Sequence, residues 1–241
     1  MNLSIVNRSA ESPTKIKAVI AAINAQVQQQ FGPAWSISAS VRASTAMGNT
    51  RPDGILYLQD EVDVEDALGY HDETNAGMPY GVVFTALADE LGEDWSVTLS
   101  HEVLELLLNP LVNAYSLGEH PEIPGRVVAV WREACDAVQA STYTLKNVTV
   151  SNFVMPHYFT WAAESGIKND FLGRKVNGSL LESLGTLPGG YFGYYDPIAG
   201  EDGTFFARGD KLAEKRMEVR SKAQKVRRAH MHGEIRRKRG A

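Results

Sequence analysis

The sequence predicts an α+β fold, a small twisted mixed sheet packed on helices with one buried helix at its centre. Three observations lead there. The stretch Asp94 to Pro110, DWSVTLSHEVLELLLNP, is apolar over more than half of a helical circumference. Short apolar or alternating runs on either side of it read as strands. The chain has 241 residues, 44% of them hydrophobic, enough for one sizeable domain, here residues 1–210, with a small appended piece at 211–241.

In chain order, Leu3 to Val6 fits a first strand. Ser12-Pro13 opens a helix from Thr14 to about Gln30, and Gly32-Pro33 supplies its stop. Trp35 to Val41 alternates like a strand, and Gly54 to Leu58 is another, after the turn-rich Gly48 to Gly54. Gln59 to Ala67 is acidic and fits a loop or short helix. Leu68 to Asp72 and Pro79 to Thr85 are strands around the turn Asn75-Ala76-Gly77. Beyond the central helix, Asn113 to Gly125 has the polar, Gly/Pro-bearing character of a surface loop, and the chain returns at Val127 to Trp131. Ser141 to Phe159 reads as two strands joined near Lys146-Asn147 and ending at Pro156. Leu187 to Asp196 is a Gly- and Tyr-rich turn. Residues 211–241 combine high helix propensity with few large apolar side chains, which fits a surface helix or a tail.

The central helix carries the chemistry. Its apolar residues Val97, Leu99, Val103, Leu104, Leu106, Leu107 and Leu108 leave one sector for Thr98, His101, Glu102, Glu105 and Asn109. Asp94 is the expected N-cap and Asn109-Pro110 the stop. His101 and Glu105 stand at i and i+4, so both can reach one point beside the helix, the spacing of paired metal ligands. Glu102 faces the same cleft and can act as general base on a water that the ion activates. An amphipathic helix with three solvated polar residues would carry the same letters. The narrowness of the polar seam, and the acidic segment WREACD at Trp131 to Asp136, favour the metal site.

The pattern HExxE resembles the HExxH of zincin metallopeptidases, with glutamate in place of the second histidine. The order of HEVLE, the Asn-Pro stop, EACD and SNFVMPHYF is also similar to a group of phage and bacterial proteins with a zincin-like site. That similarity runs over Tyr70 to Phe159 and loosely on to PGGY at Pro188 to Tyr191. The resemblance implies a zinc peptidase holding one Zn2+ through His101, Glu105 and Glu133, with Glu102 as the catalytic base. In the gluzincin branch a downstream glutamate completes the site and an aspartate steadies the first histidine. Glu133 and Asp136 resemble that pair, across a gap of 27 residues from Glu105 that is longer than in the best-known members. On a helix these two would share a face, whereas on a strand Glu133 would pair with Cys135, and the sequence leaves both open. The resemblance further implies a free sheet edge to which a peptide or protein substrate adds by backbone hydrogen bonds, with Tyr80 to Phe84 as the expected strand.

Three further residues have two readings each. His71, in GYHDETN, is a loop residue or lies at the cleft mouth as substrate contact or extra ligand. His157 packs among Phe153, Tyr158, Phe159 and Trp161, or lines the cleft. Tyr191 contacts substrate, or belongs to a hairpin with exposed aromatic packing.

Cys135 is the single cysteine, which excludes an intrachain disulfide and a thiolate cage, so an ion must rely on His and carboxylate. No apolar run approaches about 18 residues and the start lacks a signal-peptide core, so a cytoplasmic or virion-associated protein without a membrane contact is expected. Residues 1–210 hold 12 Lys/Arg against 26 Asp/Glu, and residues 211–241 hold 12 against 3. The run Arg236-Arg237-Lys238-Arg239 fits nucleic acid, an acidic partner or the acidic body itself. The competing function class is therefore a non-catalytic interaction module or phage structural protein on a zincin scaffold that works through this basic segment.

Overall fold

The computed structural model describes residues 1–44, 51–62, 68–161 and 165–207, so the basic segment 211–241 lies outside the described residues. Strand β1 (Asn2–Arg8) leads into helix α1 (Pro13–Gln26), where the Ser12 side chain accepts the Lys15 N–H and Pro13 occupies the first turn. The expected stop at Gly32-Pro33 does not occur. A π-helical turn, Val27–Phe31, lets the Gly32 N–H reach the Val27 carbonyl. Pro33, which has no N–H to lose, then falls in the first turn of α2 (Gly32–Trp35). Ser36, left-handed at φ 56°, ends the helix, so the strand expected from Trp35 shrinks to β2 (Ser40–Ala43).

Strands β3 (Gly54–Gln59), β4 (Gly69–Glu73) and β5 (Pro79–Phe84) complete a five-stranded sheet of order β2-β1-β3-β5-β4. Its pairings are parallel except that β4 runs antiparallel to β5 at the edge. Ile5 lies opposite Leu56, Leu56 opposite Gly81, and Gly81 opposite His71. Side chains alternate along a strand, so His71 projects from the same face as Leu3, Ile5, Leu56, Leu58 and Val83, all of them buried. Tyr57, Tyr70, Tyr80, Val82 and Phe84 cluster on the other face. Tyr80 to Phe84, expected to offer a free edge, is paired on both sides, and the edge belongs to β4. The tight turn at Thr74 to Gly77 folds β4 back onto β5 and places it outside.

Helix α3 (Thr85–Glu90) is followed by α4 (Trp95–Leu108), in which every residue but Leu108 is buried. It packs against β4, β5 and β9 (Val148–Ser151), which forms a hairpin with β8 (Thr142–Leu145). Lys146 and Asn147 both take positive φ at its turn, the backbone twist that two-residue hairpin loops need. Leu99, Val103, Leu104 and Leu106 join Leu3, Ile5, Leu56 and Leu58 in the main core. Each such side chain contributes about 1.5–3 kcal/mol by its burial. Asp94 sits at the N-cap, but its carboxylate accepts the Thr149 hydroxyl at 2.9 Å rather than a helix N–H. Asn109 ends the helix as expected, its Oδ1 taking the N–H groups of Asn113 and Ala114 at 3.0 Å.

The stretch expected to loop after α4 contains a strand, β6 (Tyr115–Glu119), paired with β7 (Val127–Trp131). Its inward positions are Ser116 and Gly118, while its alternating apolar residues, Tyr115 and Leu117, face outward. A two-residue hairpin, β10 (Lys175–Val176) and β11 (Ser179–Leu180), precedes β12 (Tyr191–Asp196) and β13 (Glu201–Phe206). The Tyr-rich segment is thus a strand in a second sheet, of order β13-β12-β7-β6. The architecture is mixed α+β. No helix of the described residues is long and apolar enough to cross a membrane.

Candidate metal centre

Three pieces of chain meet beside α4: the edge strand β4, the helix itself and the segment after β7. Gly69 makes the first approach possible, because a Cβ there would meet Thr98 Cγ2 at 2.8 Å and Glu102 Cγ at 3.2 Å. With no side chain at 69, β4 lies on the helix and carries His71 into it. His71 Nδ1 is 3.3 Å from Glu102 Oε2 and 3.6 Å from Glu105 Oε2, and its Nε2 is 3.5 Å from Glu133 Oε2.

Neither of the two geometries left open for Glu133 and Asp136 is realised. Glu133 follows β7 in irregular backbone, and Asp136 starts a single 3-10 turn, Asp136–Val138. Backbone bonds hold that segment: Arg132 N–H to Ala114 O at 3.0 Å and Val154 N–H to Ala134 O at 2.7 Å. The Cys135 N–H donates to Glu105 Oε1 at 3.1 Å. From the segment leading into β12, the Leu187 N–H donates to Ala137 O at 2.9 Å, and Gly190 packs so closely that a Cβ would overlap the same carbonyl. His101 Nε2 then stands 3.1 Å from Glu105 Oε1 and 3.2 Å from Asp136 Oδ1.

All six side chains are almost fully buried, none more than 4% exposed. Burial, followed by the charge of Asp136, pushes Glu105 up from 4.5 to about 7, with His101 acting in the opposite direction. Burial likewise pushes the Cys135 thiol well above its ordinary range, with Glu105 adding to the effect. Four carboxylates withdrawn from water at one point are costly, by several kcal/mol per ion after relaxation, unless positive charge accompanies them.

Two groups of side chains here could hold a cation, each with ligand atoms within 4.8 Å of one another: His71, Glu105 and Glu133, and His101, Glu105 and Cys135. The structure therefore brings together His71, His101, Glu102, Glu105, Glu133 and Asp136, but divides them differently from the expected His101, Glu105 and Glu133. In this arrangement His71 joins Glu105 and Glu133, while His101 turns to Asp136. Cys135 enters as a potential ligand that cysteine counting, directed at multi-thiolate cages, does not reveal.

His157 and Tyr191 are placed otherwise. His157 is exposed on the 3-10 turn Pro156–Phe159, whose inward positions are taken by Tyr158 and Phe159, so it is not packed among the aromatics. Tyr191 is buried in β12 with its ring 5.7 Å from that of Phe206, and the hairpin's aromatic packing is internal rather than exposed. A cavity of about 620 Å³, lined by residues including His120, Trp161, Phe192 and Phe205, contains none of the six cluster residues.

Compared with protein-family models, with curated proteins and with solved structures, the chain has no match.

Proposed function

We propose that the cluster between β4 and α4 is a divalent-metal site and that the protein is a metal-dependent hydrolase, a zinc peptidase of zincin-like architecture. The observation that carries this reading is the convergence of two histidines and four carboxylates, from three separate elements, in a region closed to solvent. With all four carboxylates ionised, two protonated imidazoles would still leave two negative charges there. A divalent cation offsets them, and His with carboxylate oxygen is a donor set that zinc accepts. The edge strand β4, antiparallel to β5 and packed on an HExxE helix, supports the zincin-like part of the proposal.

His71, Glu105 and Glu133 would hold the ion, and the Asp136 carboxylate, with Oδ1 3.2 Å from His101 Nε2, steadies the His101 ring. A bound divalent ion supplies Lewis acidity toward water and toward a carbonyl. Glu102, whose Oε2 lies beside His71, takes the proton of the attacking water and returns it to the leaving amine. As the terminal strand of its sheet among the described residues, β4 offers backbone groups to an extended peptide. The excess of basic residues in 211–241 beside an acidic body supports contact with an acidic partner or nucleic acid, which steeply salt-sensitive binding would report.

The burial of the six side chains also favours a second reading, a structural ion that ties β4, α4 and the segment after β7 together in a non-catalytic scaffold. One pair of measurements separates the two. Under the hydrolase reading, zinc-loaded protein cleaves a denatured protein substrate, and Glu102→Gln retains zinc while activity falls by a factor on the order of 100 or more. Zinc retained by a wild-type protein that cleaves nothing would leave the scaffold reading standing.

A further inference from the structure

The two groups of possible ligands share Glu105, and its two oxygens address them separately. Oε1 lies 3.1 Å from His101 Nε2, and Oε2 lies 3.6 Å from His71 Nδ1. Around the first stand His101 and Cys135, and around the second stand His71 and Glu133, with ligand atoms inside 4.8 Å in each group. A carboxylate with a different set of ligands on each oxygen has the form of a bridge.

We propose that the centre is dinuclear, with Glu105 bridging one divalent ion held by His71 and Glu133 and a second held by His101 and Cys135. The proposal rests on the metal-site reading above and adds to it a second ion and a thiolate ligand. Carboxylate-bridged pairs of this kind hold their ions roughly 3.5–4 Å apart, a separation that one bidentate glutamate spans.

Charge and chemistry agree with two ions. Glu102, Glu105, Glu133 and Asp136 carry four negative charges when ionised, and two divalent ions match them, whereas one ion leaves a charge of −2 in a region closed to water. Coordination converts the Cys135 thiol to thiolate, its proton passing to solvent, and the total then stands at −1. The two positions also differ in softness. The one with Cys135 has a sulfur donor and suits zinc or cobalt, while the one with Glu133 has an added oxygen donor.

The full-length chain, stripped with chelator, is titrated with Co2+ and followed by absorption, and separately loaded with zinc and assayed for metal per chain. Two equivalents are expected in each case, with a thiolate-to-cobalt band in the near ultraviolet. Cys135→Ser should abolish that band and lower zinc from two to one, His71→Ala should lower zinc to one while keeping the band, and Glu105→Ala should lose both ions. Should a variant fail to fold, the wild-type cobalt titration decides alone. Saturation at one equivalent, or a spectrum without the thiolate band, overturns the dinuclear assignment and leaves the single-ion proposal intact. A wild-type protein that binds no metal overturns both.

Discussion

His120, just after β6, and His71, in β4, are both buried histidines, and their surroundings differ in kind. His120 Nδ1 accepts the N–H groups of Glu122 and Ile123 at 3.1 Å, which fixes its proton on Nε2, 3.2 Å from the Tyr194 hydroxyl. Both nitrogens meet neutral groups, and the ring packs edge-on against Tyr194. His71 instead faces Glu102, Glu105 and Glu133, while His101 faces Glu105 and Asp136. The first environment is balanced with an uncharged imidazole. The second accumulates negative charge that imidazole alone does not cancel. Burial therefore does not distinguish the two histidines, whereas the charge of their neighbours does.

Removing a carboxylate from the acidic side of the comparison should break it most visibly. Glu133→Ala removes a proposed ligand, and we expect zinc affinity to fall by more than the roughly 10- to 100-fold typical of residues that only orient ligands. The measurement is competition with a chelator of known affinity, and unchanged occupancy would remove Glu133 from the site.

Next in size is a pH effect confined to the acidic cluster. With metal stripped, folded Glu105 holds its proton up to about pH 7, whereas the unfolded chain releases it near 4.5. The folded state binds the extra proton between those values, so this contribution to stability is complete below about pH 4.5 and lost as pH rises to about 7. The loss is about 3 kcal/mol at most. Denaturant unfolding across that range should show the decline in stripped wild type and not in Glu105→Gln. A stability that rises over the same interval in wild type alone would contradict the assignment.

Asp136→Ala should act more mildly than loss of a ligand, weakening zinc at the second ion of the proposed pair by about 10- to 100-fold through the freed ring of its ligand His101. At the other histidine, His120→Ala strands two N–H groups and should cost about 1–3 kcal/mol in unfolding while zinc content stays the same. If His120→Ala also emptied the metal site, the two regions would not be independent and the comparison would lose its meaning.

How much of this was legible in the sequence follows from which contacts have a period. The i, i+4 spacing of His101 and Glu105 lies on a helix, and the structure puts both side chains on the buried side with Glu102. The alternation of Gly69, Tyr70, His71 and Asp72 is equally regular, although five residues near a turn do not reveal that the Gly/His face is the covered one. The segment from Glu133 to Asp136 has no period. Its course is set by the Ala114 and Val154 backbones and by Gly190, more than 50 residues further on, so nothing local announces it. The same holds for β6, whose inward Ser116 and Gly118 give no apolar signal, and for the π-turn that carries α1 past Pro33. Elements whose apolar period faces the core were readable, and the irregular segment that completes the cluster needed the fold.

The central claim is that the buried carboxylates are balanced by metal, and thermal unfolding with and without zinc tests it most directly. Ligand at about 1,000 times its dissociation constant adds about 4 kcal/mol to the folded state, which for a chain of this size raises Tm by roughly 8–16 °C. The account predicts a rise of that order in wild type, reversed by chelator and absent in Glu105→Ala. A wild-type Tm that is the same in zinc and in chelator would contradict it.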